Sequence, residues 1–262
     1  MWAVQSLARD RGSSDPECMS PSVTARDHLE VGSLLYEGLD QIDLTGPFEV
    51  LARMPNTTHR LYGTTRQPVR DIHGLVLTPD AVLADAPPLD VLHIPGGFGQ
   101  EALMEDDVVL DWIRGQAAGA RCVFSVCTGA LLLGATGLLR GRRATTHWAS
   151  VELLPSFGAI PVDARVVVDR EIVSAAGVTA GIDGALQVAA ILRGDAVAQS
   201  IQLLIQYAPQ PPFDAGTPET APAPIVAAAR HAMADITATR KESAGRVAAR
   251  LGVLPAVVAG PR

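Results

Sequence analysis

The sequence predicts an α/β layered domain with a mainly parallel central sheet. Apolar runs of strand length alternate with stretches that carry apolar residues at helical spacing, the pattern of repeated β–α units. Hydrophobic residues make up 48% of the chain but aromatic ones only 4%. The core must therefore be built from Ala, Val, Leu and Ile, which suits helices packed on a sheet. No repeat or linker interrupts the alternation before Tyr207.

HLEVGSLLY (28–36) reads as the first strand, followed by a loop and the short helix FEVLARM. HRLYGTTRQ alternates as a second strand, and VRDIHGLVLTPD reads as a hairpin turning at Gly74. DVLHIPGG is a short buried strand ending in two glycines. DDVVLDWIRGQAAG has helical spacing, with Asp106 placed to cap it. RCVFSV is the next strand and TGALLLGATG the next helix. After ATTHWASVELLPSFG, the segment RVVVDREIVSAAG reads as a pair of strands. GIDGALQVAAILRG and AVAQSIQLLIQY then read as amphipathic helices.

Both ends depart from this pattern. Residues 1–28 have mixed polarity and no period, which predicts a disordered extension, and Met19 offers a cleaner start than Met1. The α/β domain is expected over 29–207. Beyond it, APQPPFDAGTPETAPAP holds six prolines in seventeen residues, too many for a regular element. An alanine-rich helical pattern follows, so 208–262 is expected to pack on the domain or on a second subunit.

The net charge of −7 argues against a nucleic-acid binder, whose footprint is basic. The N-terminus lacks a secretory apolar core, and no stretch has the composition of a membrane span. Cys18, Cys122 and Cys127 form an odd set without metal-type pairing, which points to reduced thiols and a cytoplasmic setting.

Cys127 stands where an apolar strand stops and a small-residue helix begins. Unpaired amides and the helix dipole at such a junction lower a thiol pKa. Gly129 permits the turn, and the Thr128 amide points to where an oxyanion would form. Cys122, inside the strand, reads as packing. HIPGG would bring the Gly97 amide beside the elbow as a second donor. DQIDLTGPFEV carries Asp40, Asp43 and Glu49, with Gly46-Pro47 fixing the loop before the helix.

In a parallel sheet these strand ends share one carboxyl edge, where α/β proteins place their sites. On pattern alone Asp43 serves equally as a helix cap or as the partner of Cys127. No imidazole follows the cysteine, since Thr128 stands there, and His147 reads as a hydrogen-bonded structural residue.

IDLTGPFEVL, HIPGG, SVCTGALLLGATGLLRGRRATTHW, GVTAGIDGAL and QYAPQPPFDAGTPETAP resemble the ThiJ/PfpI superfamily, and within it the isonitrile hydratase branch. The resemblance runs from about residue 30 into the tail. It implies a flavodoxin-like three-layer sandwich of the class I glutamine-amidotransferase type, with a nucleophile elbow. It implies Cys127 as nucleophile, Asp43 as acid/base and Thr128 and Gly97 as supporting or oxyanion residues. Gly177 and Thr179 would support the pocket. It also implies a homodimer that needs no cofactor and hydrates a small-molecule isonitrile, with no nucleic-acid or membrane partner.

Two other readings stay open at this stage. AraC-type regulators carry a similar domain, so a ligand-sensing domain is an alternative. Only 55 residues follow Tyr207, too few for the two helix-turn-helix units such regulators append. The superfamily's glyoxalase and stress-protein branches use a glutamate near the thiol, for which Glu37 is the candidate. The peptidase branch needs a histidine beside the nucleophile, where Thr128 stands.

Overall fold

A computed structural model describes residues 27–253. The expectations about a disordered extension, an alternative start at Met19 and the state of Cys18 lie outside the described residues. The chain runs through β1 (Leu29–Leu34), α1 (Gln41–Leu51), β2 (Thr57–Gly63), β3 (Val69–Arg70), β4 (Val76–Leu77), β5 (Ala81–Val82) and β6 (Val91–Ile94). Next come α2 (Gln100–Leu103), α3 (Asp107–Ala117), β7 (Cys122–Val126), α4 (Gly129–Ala135) and β8 (Arg143–Ala144). A 3₁₀ helix (Trp148–Phe157) leads to β9 (Ile160–Pro161), β10 (Val166–Asp169) and β11 (Ile172–Ala175). Four helices come after it: α5 (Ala180–Arg193), α6 (Asp195–Leu204), α7 (Ala223–Ala232) and α8 (Ala234–Leu251).

Seven strands form the central sheet in the order β10-β11-β7-β6-β1-β2-β5. All neighbours are parallel except β10 with β11. β6 and β7 are buried at every position, as a parallel strand covered on both faces must be. One face packs Val50, Leu51, Val188, Ala189 and Ile201 against β1 and β7. The other packs Leu110, Ile113, Leu131, Leu132, Leu154 and Val247. The result is the expected three-layer α/β sandwich with a mainly parallel sheet. Among the described residues no helix is long and apolar enough to cross a membrane.

Local chemistry explains most elements. Asp106 caps α3 by accepting from the amides of Val108 (2.9 Å) and Val109 (3.2 Å), which satisfies donors the helix leaves open. β3 and β4 form the hairpin, with Gly74 at φ +95°. One reading needs correction. Gly46 and Pro47 lie inside α1, which starts at Gln41 with Asp40 as its cap, the Ile42 amide donating to it at 3.1 Å. The C-terminal pattern is two helices, divided at Met233.

A proline at position 47 removes the amide that would bond the Asp43 carbonyl one turn earlier. The His93 ring approaches that carbonyl without a full hydrogen bond. α8 packs on the domain against the 3₁₀ helix, α4 and α2. Ala244 and Val247 are buried there, and Arg246 grips Glu105 at 2.8 Å.

Candidate active site

Four neighbouring strands, β11, β7, β6 and β1, release their chains at one carboxyl edge, and the segments leaving them build the site. β7 ends at Cys127, whose φ of +55° is rare for a residue with a side chain. Holding a non-glycine residue there costs on the order of 1–3 kcal/mol, a strain that concentrates at functional positions. The conformation is fixed from both sides. The Cys127 amide donates to the Ala175 carbonyl of β11 at 3.0 Å. The Cys127 carbonyl accepts from the Thr146 hydroxyl at 2.7 Å.

Gly129 follows because α4 presses on β6: a Cβ at this position would lie 2.2 Å from the Ile94 carbonyl oxygen. Cys122 is a buried core residue five positions earlier in the chain. Burial pushes its thiol up to about 12, and neither the Asp43 acid nor a backbone amide meets it.

β1 is followed by Asp43 in the first turn of α1, fully buried. One carboxyl oxygen, Oδ2, accepts from the Gly96 amide at 3.0 Å. The other, Oδ1, has no hydrogen-bond partner among the described residues. Desolvation, with Asp40 adding to it, raises this carboxyl to about 8, and the contacts with the Cys127 thiol and the Gly96 amide oppose the rise. Asp43 is therefore a carboxylic acid that stays neutral near neutral pH and faces the thiol.

The HIPGG turn after β6 binds both groups together. Its Gly96 amide holds Asp43, and its Gly97 amide donates to Thr128 Oγ1 at 3.1 Å. A Cβ on Gly96 would sit 2.6 Å from the Thr128 nitrogen and 2.8 Å from Asp43 Oδ2. Gly97 adopts φ +141°, and a Cβ on it would lie 2.4 Å from Leu39 Cα. We expect Gly97→Ala to destabilise the fold by about 2–4 kcal/mol. Urea denaturation monitored by circular dichroism measures this.

The amides that meet the sulfur belong to Thr128 and Val178. Gly97 thus spends its amide on positioning Thr128. Burial is the largest influence on the Cys127 thiol and holds it well above its ordinary value. Asp43 adds to the rise, and the two amides and Arg240 oppose it. The elbow alone would lower the thiol, but removal from water outweighs it.

The remaining candidates lie around this centre. Gly177 touches the His147 ring, since a Cβ there would be 3.3 Å from Cδ2. Thr179 is exposed at the start of α5 and accepts from Arg165 at 3.3 Å. It supports the end of the helix that presents the Val178 amide. His147 accepts from the Ala149 amide and caps the 3₁₀ helix. Burial, with Arg240 nearby, lowers it to about 4, so it is neutral. Glu37 is exposed and accepts from the Arg70 amide at 2.8 Å.

Three groups were missed in the sequence. Tyr36 is buried near the pair and donates to the Pro95 carbonyl at 2.9 Å. It also lines a cavity of about 340 Å³ that includes Leu34, Glu37, Val69, Gly99 and Leu103. Glu101 and Arg240 form a buried ion pair beside the turn. Among the described residues no three His, Cys, Asp or Glu side chains converge as metal ligands.

A strained thiol on an α/β sheet edge, backed by a buried acid and fed by a double-glycine turn, defines a class of protein. The chain belongs to the DJ-1/PfpI family, whose model matches residues 30–191. It is 50% identical over 225 residues to the isonitrile hydratase of Pseudomonas putida, covering 86% of this chain and 99% of that protein. A solved ThiJ/PfpI family protein from Pseudomonas syringae superposes with a TM-score of 0.82 at 36% identity, covering 88% of this chain and 98% of that one. The transcriptional regulator GbdR of Pseudomonas aeruginosa is 29% identical over 193 residues, 70% of this chain but 52% of the regulator.

Proposed function

We propose that the chain is an isonitrile hydratase, adding water to R–N≡C to give the N-substituted formamide R–NH–CHO. The observation that carries the reading is the buried pair of Cys127 and neutral Asp43, with one Asp43 oxygen anchored and the other without a partner. The similarity to the Pseudomonas putida enzyme supports the substrate class.

The chemistry follows from the pair. An isonitrile is electrophilic at its terminal carbon once a proton reaches that carbon. The Cys127 sulfur attacks the carbon as Asp43 delivers its proton there, and the thiol proton passes to the Asp43 carboxylate that is left. The product is a covalent thioimidate, R–N=CH–S. No full charge is separated in a site where burial disfavours charge.

Asp43 then protonates the nitrogen and takes a proton from water as the water attacks the same carbon. As the tetrahedral species collapses, its hydroxyl proton passes to Asp43, the sulfur is expelled and the formamide is released. The sulfur recovers its proton from Asp43. The Thr128 and Val178 amides stabilise charge that develops on sulfur as it leaves.

Intact-mass spectrometry after rapid acid quench tests this scheme. We expect an adduct equal to the whole isonitrile mass, located on the peptide containing Cys127. Turnover without any adduct under trapping conditions would overturn the covalent route.

The reading also includes a cytoplasmic homodimer. Exposed Leu203, Leu204, Phe213 and Ile225 supply the apolar surface that a second copy would cover. Size-exclusion chromatography with light scattering checks the assembly.

A further inference from the structure

Arg240 lies in the middle of α8, outside the 30–191 segment that defines the family. Only 2% of it is exposed. A buried guanidinium requires partners, and its partners come from one short stretch. Glu101 forms a direct ion pair with it, the Gly97 carbonyl accepts from Nη2 at 3.5 Å, and the Phe98 ring lies 5.7 Å from its central carbon. The Gly97 carbonyl also accepts from Thr128 Oγ1 at 3.3 Å. One peptide unit therefore joins the C-terminal helix to the residue beside the nucleophile.

Docking of α8 does not explain this arrangement. The helix is already fixed by Ala244, Val247, the Arg246–Glu105 pair and the Arg250 bond to the Met104 carbonyl at 3.0 Å. A buried ion pair contributes little net stability, because desolvation offsets its attraction. The second Glu101 oxygen, Oε2, is buried without a partner among the described residues, so the pair is not arranged for stability alone.

We propose that Arg240 is a positioning residue for the Cys127–Asp43 pair, acting through the turn that it grips at Gly97 and Glu101. The grip keeps the Gly96 amide on Asp43 and the Gly97 amide on Thr128. The guanidinium also favours the ionised form of the thiol. This inference rests on reading that pair as the catalytic centre.

The test compares Arg240→Met, Arg240→Lys, Glu101→Gln and the surface control Arg246→Gln. Two readouts are taken: kcat and KM for isonitrile hydration, and the pH midpoint of Cys127 alkylation by iodoacetamide, resolved by peptide mass. Charged or titratable groups acting on the thiol are Asp43 from α1, Tyr36 after β1 and Arg240 from α8, with Glu101 from α2 and His147 beside Arg240. Only the variants change this set.

Arg240→Met is expected to lower kcat about tenfold or more, with KM nearly unchanged. Its alkylation midpoint should rise by about half a pH unit or more, whereas Glu101→Gln should lower it. Arg240→Lys should restore the midpoint but not kcat, and Arg246→Gln should match wild type in both readouts. A purely structural role would move both variants in the same direction.

Shifts of the same sign, or an Arg240→Met variant within about twofold of wild type in kcat with an unmoved midpoint, would overturn the proposal. If Arg240→Met fails to fold, the sign of the Glu101→Gln shift decides. Alkylation needs no isonitrile, so it separates this proposal from the choice of substrate.

Discussion

Cys127→Ala is expected to abolish isonitrile hydration while leaving the fold in place. Among the described residues, the sulfur is the group at the sheet edge that meets two backbone amides and the Asp43 carboxyl together. Cys122 cannot replace it, because it lies at the start of β7 in the packed core, without the acid and the backbone amides that meet Cys127. Losing the nucleophile of a covalent route removes on the order of 10³-fold or more of the rate. The variant keeps the backbone bonds of residue 127 to Ala175 and Thr146. Its circular dichroism spectrum should therefore match wild type. Turnover by Cys127→Ala close to the wild-type rate would show that the chemistry lies elsewhere.

Asp43→Asn is expected to move activity and stability in opposite directions. General acid–base catalysis contributes roughly 10²–10⁴-fold, and the variant should lose a factor in that range. The stability effect follows from the raised carboxyl, about 8 in the fold against an ordinary 3.8. The folded state holds this proton more tightly than the unfolded chain does. Stability from the group is therefore full below the ordinary value and declines as pH rises toward the folded one. Asparagine cannot titrate, so Asp43→Asn should be more stable than wild type at pH 8 and differ less at pH 5. Urea denaturation at both pH values checks the sign. An inactive variant that is also less stable at pH 8 would mean that the carboxyl is ionised in the fold.

The parts of the fold that repeat a simple period were legible. The alternation of strands and helices led to the layered sheet, and the apolar run stopping at Cys127 located the elbow. Glycines at 96, 97 and 129 marked close approaches of backbone, since a Cβ at any of them would lie within 3 Å of neighbouring backbone atoms. Gly46-Pro47 was misread, because a proline ordinarily stops a helix. Here the amide it lacks would have served the Asp43 carbonyl, inside the site itself.

Other features left no local signal. Val178 contributes through its backbone amide, which any residue but proline would provide. Arg240 is more than a hundred residues from Cys127 in the chain, and in an alanine-rich helix it reads as one more solvated charge. The thiol's own titration was hidden too, since burial depends on packing from four separate elements. The elbow pattern suggests a lowered pKa, and desolvation reverses the sign.

The most direct measurement is product identification. Purified protein is incubated with a panel of small aliphatic and aromatic isonitriles, with methylglyoxal and a peptide as controls, and the products are separated and identified by mass. The account predicts N-substituted formamides from the wild-type protein, none from Cys127→Ala, and no consumption of either control. Wild-type protein that leaves every isonitrile intact while converting methylglyoxal would contradict it.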